Sequence, residues 1–198
     1  MTKKVSTIDA SFIAGLKTRG LSDVDIEDAA SIAFHFNLIN RLADAFDFAL
    51  PNEKQRRRQA AILDVVAKKS TGPRPSPSYA PGQDGIVRPV ELNEFREAVL
   101  QTVGATAPAL RVSMESTAAL HMGATREASP PPTQLVAYAE TLAKYASAIT
   151  DEEVAALHKA GYDDEALFEL TLAGAMGAAF AGIEAVFQAS ATDSRPNE

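Results

Sequence analysis

The chain has 198 residues, 46% hydrophobic and 23% charged, which suits one globular domain or two small units sharing a core. It carries no cysteine, no tryptophan, three histidines and a net charge of -7. Disulfides, thiolate metal sites and thiol nucleophiles are therefore excluded, and no metal or cofactor is expected. The acidic balance also argues against a general nucleic-acid binder, which carries a basic face.

Met1 to Ser6 has charge but no apolar run behind it, so no secretory signal is expected and the reading is cytoplasmic. Residues 7–18 predict a short helix with Ile8, Phe12 and Leu16 on one side, stopped by Gly20. Ser22 is placed to cap a second helix whose first turns hold Asp23, Asp25, Glu27 and Asp28, at the positive end of its dipole. That helix should run to about Phe46. Asn52 can cap a third, 53–69, with an apolar stripe of Ile62, Val65 and Val66. Its basic run, Lys54 and Arg56 to Arg58, has no interleaved aromatic and reads as a solvated face, not a nucleic-acid patch.

Residues 70–90, STGPRPSPSYAPGQDGIVRPV, hold five prolines and form an extended linker without helix or strand. They divide an N-terminal half, 1–69, from a C-terminal half, 91–190, packed with it as one domain; 191–198 is a polar tail. The C-terminal half opens with a helix over 91–103 (Leu92, Phe95, Val99 and Val103). Pro108 suits the first turn of 109–122. After a break at 123–133, GATREASPPPT, further helices are expected over 134–146, over 151–159 between Thr150 and Gly161, and over 164–189 after Asp163. No alternating strand pattern occurs, so the class is all-α. Residues 171–187 are too short, and too rich in Ala and Gly around Glu184, to predict a membrane span.

The two ends of the chain can be laid over each other without a gap. Gly20 then falls on Gly161, Asp23 on Asp164, Ile26 on Leu167, Leu42 on Ile183 and Phe46 on Phe187. Both stretches read as a short helix, a Gly cap, an Asp-led N-terminus and a long apolar helix, which suggests a repeated helical hairpin. In the first long helix Phe34, Leu38, Ile39, Leu42 and Phe46 span an apolar arc, with His35 turned toward it. Asn37, Asn40, Arg41 and Asp44 share the opposite arc and suggest a structural polar network. In the second, Gly174, Ala178 and Gly182 recur every four positions and invite close approach of another backbone. Charge is also split: residues 1–70 carry 11 basic against 9 acidic side chains, and 71–198 carry 8 against 17.

The segment Gly20-Leu21-Ser22-Asp23 with Phe36-Asn37-Leu38-Ile39-Asn40-Arg41-Leu42-Ala43-Asp44-Ala45-Phe46 resembles the alkyl hydroperoxidase D/carboxymuconolactone decarboxylase superfamily. The phrase Phe-Asn-x-x-Asn-Arg-x-Ala-Asp looks especially like its peroxidase-related branch. The stretch from Leu135 to Phe187 is similar to members of the same superfamily, so the likeness covers about half of the chain. It implies a compact all-α domain of duplicated hairpins that assembles into dimers, trimers or hexamers; a dimer or trimer is expected here. The family's peroxidatic motif, Cys-x-x-Cys-x-x-x-His, would read back from His121 onto Thr117 and Met114. Both thiols are missing, so dithiol chemistry cannot run. Glu94 and Glu97 lie on the preceding helix, and neither aligns clearly with the family's glutamate.

Two main readings of function follow; a third, a nucleic-acid or regulatory module, rests on Arg56 to Arg58 alone and is the weakest. The first is a non-catalytic, oligomeric member that keeps the scaffold and loses the chemistry. The second is a cofactor-free, decarboxylase-type enzyme acting on a small carboxylate or lactone, with His121 and Glu115 or Glu97 as acid and base and Arg111 as a carboxylate clamp. Neither reading involves nucleic acid or a membrane, and neither names the small-molecule ligand.

Overall fold

The structure is a computed structural model and describes residues 5–47, 89–127 and 129–193. Among these, all regular structure is helical: α1 (Ala10–Thr18), α2 (Asp23–Ala45), α3 (Pro89–Gln101), α4 (Pro108–His121), α5 (Thr133–Tyr145), α6 (Asp151–Lys159) and α7 (Asp164–Asp193). Val5–Thr7 and Ala146–Ala148 form single 3-10 turns. The helix predicted over 53–69 and the linker over 70–88 lie outside the described residues. Pro89 and Val90 belong to α3, not to the linker, because proline is well suited to a first helical position.

Helix ends follow from local chemistry. The Ser22 hydroxyl accepts the Asp25 N–H at 3.2 Å, and the Asp25 carboxylate accepts the Ser22 N–H at 2.8 Å. Thr150 and Glu153 form the same reciprocal box at 3.2 and 2.9 Å. Asp163 caps α7 through the Ala166 N–H at 2.9 Å. At the other ends, Gly20, Gly123 and Gly161 have φ of +94°, +95° and +99°. This left-handed turn lets the next N–H reach back to a free helix carbonyl: Leu21 to Leu16, Ala124 to Ala119 and Tyr162 to Leu157.

Helix α7 is the centre of the molecule, and α4 and α2 make the most extensive contacts with it. It is long and apolar enough to cross a membrane, but 67% of its apolar window is buried inside the fold. Phe34 and Leu38 of α2, Leu92 and Leu100 of α3, Met114 of α4, Leu135 and Leu142 of α5 and Leu170, Met176 and Phe180 of α7 share one core. Burial of each such side chain stabilises by about 1.5–3 kcal/mol. A smaller cluster, Ile13, Ile26 and Ala189, ties α1 and the start of α2 to the far end of α7.

Three expectations about faces change. On α1 it is Ile13 that is buried, while Phe12 is exposed. On α2, Ile39 is exposed and Arg41 is buried, so the two trade sides. On α7 the closest approach is at Gly177: a Cβ there would land on the Glu115 backbone carbonyl of α4. Gly174 meets Leu142 and Met114, but Gly182 faces open space. Gly174 and Gly177 of α7 are thus used within the chain.

Candidate functional site

A partly buried ion cluster lies where α3, α4, α7 and residues 124–127 meet. Glu115 comes from the middle of α4, and its side chain is completely buried. Arg96 of α3 places Nη2 2.8 Å from Glu115 Oε1. Arg126 approaches the same oxygen at 3.7 Å and donates from its Nη2 to both carboxylate oxygens of Glu184, at 2.6 and 2.7 Å. The Ser116 hydroxyl donates to Glu115 Oε2 at 3.1 Å. The Arg96 guanidinium also lies 5.5 Å from the Phe180 ring centroid, within cation–π range. Two arginines and two glutamates balance in charge, the condition for burying ions at all. Burial works against the Arg126 charge, yet the hydrogen bond and attraction to Glu184, with Glu115 beside it, hold its pKa above the ordinary value. The cluster is tight but imperfectly paired. Glu115 Oε1, Arg96 Nε and Arg126 Nε are buried without a hydrogen-bond partner, so the contact with Arg96 is an ion pair without hydrogen-bond alignment.

Two further arginines are buried, and each closes a helix C-terminus. Arg41 donates from Nε and Nη2 to the Ala143 carbonyl of α5, at 3.2 and 2.9 Å, and from Nη1 to the Asn37 carbonyl at 3.1 Å. Burial pushes its pKa down, and Asp44 partly offsets this. Arg111 donates to the Leu100 carbonyl at the end of α3, to the Thr102 carbonyl and to the Thr106 carbonyl. The last four carbonyls of a helix have no partner within it, and a cation there also meets the negative end of the dipole. Arg111 further pairs with Glu169 of α7 at 3.0 Å. Glu169 accepts the Ala105 and Thr106 N–H groups and the Thr106 hydroxyl. Desolvation opposes its charge, but the Thr106 and Ala105 donors and Arg111 outweigh it and hold the carboxyl below its ordinary range.

A cavity of about 310 Å³ opens between α3 and α7, lined by Phe95, Val99, Thr102, Val103, Arg111 and Leu172 among others. Arg111, the cation expected to clamp a substrate carboxylate, has its donors committed to carbonyls and to Glu169 at the edge of this cavity.

The sequence-predicted acid–base residues are not brought together. Glu115 is in the ion cluster, Glu97 stands exposed on α3, and His121 is half-buried at the end of α4. Among the described residues no hydrogen bond or ion pair joins either of them to Glu115. His121 is felt instead by Glu140 of α5, whose carboxyl is lowered chiefly by Lys144. Met114 and Thr117 are both buried on the α4 face turned to the core. In the predicted α2 network Arg41 does bond Asn37 and feel Asp44. Asn40 is half-buried on the same helix, and His35 donates from Nδ1 to the Ser31 carbonyl one turn back, at 2.7 Å. Among the described residues no three His, Asp or Glu side chains are grouped to hold a metal ion.

Sequence reasoning missed Arg96, Arg126 and Glu169. Arg126 lies in a stretch read only as a helix break, and its partner Glu184 is 58 positions away on α7. The chain matches no protein-family model, no curated protein and no solved structure.

Proposed function

We propose that this protein is a thiol-free, non-catalytic helical scaffold that assembles as a homo-oligomer, a divergent relative of the alkyl hydroperoxidase D/carboxymuconolactone decarboxylase superfamily. The observation that carries the reading is the commitment of the buried charges. Glu115, Arg41 and Arg111, the buried groups with chemical potential, all serve to join helices. The positions where the family's cysteines would stand, Met114 and Thr117, are core positions closed to solvent. The matched hairpin boundaries, Gly20 with Gly161 and Asp23 with Asp164, favour an internal duplication. Phe95 and Val103, exposed where they line the α3–α7 cavity, favour self-association.

The test is a thermal-shift panel of small carboxylic acids and lactones on the intact chain. No compound is expected to stabilise it. A ligand at 100 times its Kd stabilises by about 2.7 kcal/mol, roughly 5–10 °C for a chain of this size. A shift of that size, abolished by Glu115→Gln, would sink the scaffold reading. Light scattering should return a multiple of the chain mass at micromolar concentration; a monomer would remove the oligomer.

One observation favours the second reading, an acid–base enzyme. Three buried polar atoms of the ion cluster, Glu115 Oε1, Arg96 Nε and Arg126 Nε, have no hydrogen-bond partner, although Glu115 is ion-paired. A polar molecule held there would complete them, and the same panel detects it.

A further inference from the structure

The outer face of α2 is apolar where the helix meets solvent. Ile32, Phe36 and Ile39 are 52%, 63% and 59% exposed, and they follow one another at i, i+4 and i+7. They lie on the opposite side from the buried Ile26, Ala30, Phe34 and Leu38. An amphipathic surface helix has one apolar stripe; α2 has two, back to back.

The other long helix shows what such a face is for. In the register that lays Gly20 over Gly161, Ile32, Phe36 and Ile39 correspond to Ala173, Gly177 and Phe180 of α7. All three are buried, and Gly177 lies against the backbone of α4. The same side of the matching helix is therefore covered in the second hairpin and bare among the described residues of the first.

We propose that the outer face of α2 is a docking surface for residues 53–69 of the same chain. Three observations select this occupant over a second copy. The first is charge: α2 carries five acidic residues and one arginine, a net of -4, while residues 53–69 carry six basic and two acidic residues, a net of +4. A second copy of α2 would bring like charge against like charge. The second is pattern: Ile62, Val65 and Val66 supply an apolar stripe at helical spacing, with Arg58 and Lys69 at its two ends. The third is reach. The described chain leaves α2 through Asp47 at φ +45°, a left-handed conformation that turns the backbone out of the helix line. The link over 46–52 then separates α2 from residue 53, and an extended stretch of that length spans about 23 Å. Helices pack at only about 8–10 Å. In the proposed docking an antiparallel return would set Ile62 level with Phe36, Val66 level with Ile32 and Lys69 beside Asp28.

The absence of native cysteine makes the test direct. Phe36→Cys and Ile62→Cys, introduced together in the full chain, should be bridged by a short bismaleimide within one chain, giving a monomer with no titratable thiol. Charge reversal with R56E, R57E and R58E should slow that bridging by about tenfold or more. Bridging between chains would assign the face to a second copy and overturn the proposal; no bridging would overturn it equally. Because Phe36→Cys removes apolar surface, the unmodified chain gives an independent reading. Amide exchange across residues 53–69 should be at least about tenfold slower than for an unstructured peptide, and Phe36→Asp should abolish that protection while leaving α7 protected. Exchange at the unstructured rate in the unmodified chain would also overturn it.

Discussion

The hairpins α1–α2 and α6–α7 have the same punctuation and different cargo. Ala10, Thr18, Gly20 and Asp23 of the first correspond, in one unbroken register, to Asp151, Lys159, Gly161 and Asp164 of the second. The Leu21-to-Leu16 hydrogen bond repeats as Tyr162 to Leu157, and the Lys17–Asp23 ion pair has a His158–Asp164 contact at its matched place. The long helices then diverge. Where α2 has Phe34, Phe36, Leu38 and Arg41, α7 has Ala175, Gly177, Ala179 and Gly182. Small side chains let α7 be enclosed along most of its length; large ones leave α2 with one buried face and one facing outward. Caps and turns decide where a helix begins and ends, and side-chain volume decides how deep it sits.

The largest effect should come from forcing bulk into α7. Gly177→Val sets a branched side chain against the Glu115 carbonyl, and about 3 kcal/mol or more should be lost, a fall in Tm of roughly 6–12 °C. Thermal unfolding by circular dichroism reads this. A change of less than about 0.5 kcal/mol, the range of an ordinary surface substitution, would mean the two helices are not in close contact there. At the matched position of α2, Phe36→Ala should cost about 1–2 kcal/mol by urea unfolding if the outer face is covered. A neutral result would leave that face bare and widen the contrast between the hairpins.

Acid should act on α7 through Glu169. Its carboxyl is held below the ordinary 4.5, so the folded state prefers the ionised form. The resulting stability is fully present above that ordinary value and is lost as pH falls through the lower, folded one. Glu169→Gln should flatten the acid limb of the stability curve and weaken the bonds to Ala105 and Thr106. An unchanged acid limb would show that the clamp does not form. The smallest effects belong to the shared punctuation. Ser22→Ala and Asp163→Ala should each cost about 1 kcal/mol, by the same amount within error. A large inequality would break the equivalence of the two hairpins.

The helical layout is legible in the sequence because its signals are local. Ser22, Thr150 and Asp163 sit within three residues of the N–H they satisfy, and Gly20 and Gly161 act within five. Faces are less legible. Arg41 reads as polar, on the arc away from the core, but the open carbonyl of Ala143, 102 positions away, draws it inside. Its long aliphatic stem packs like an apolar residue while the head finds a helix end. The buried cluster is the least legible part. Glu115 is visible as a candidate, yet its role depends on Arg96 and Arg126, and no spacing on one helix brings those three together. His121 and Glu97 look equally suitable and lie elsewhere because pattern gives a face, not a distance.

The central place of α7 has a consequence for how the chain is made. It follows α1 to α6 in sequence, and the core of each depends on it directly or through a neighbour. On the ribosome everything before Asp164 emerges without the surface that Phe34, Leu92, Met114 and Leu142 will cover. Those side chains must wait, exposed, until Asp164 onward clears the exit, and this is when chaperones and proteases can engage them. Capped helices can form early; the packed molecule cannot. Packing of the core is therefore expected to wait for α7, and a ribosome-stalled chain ending near Ala160 should remain protease-sensitive throughout.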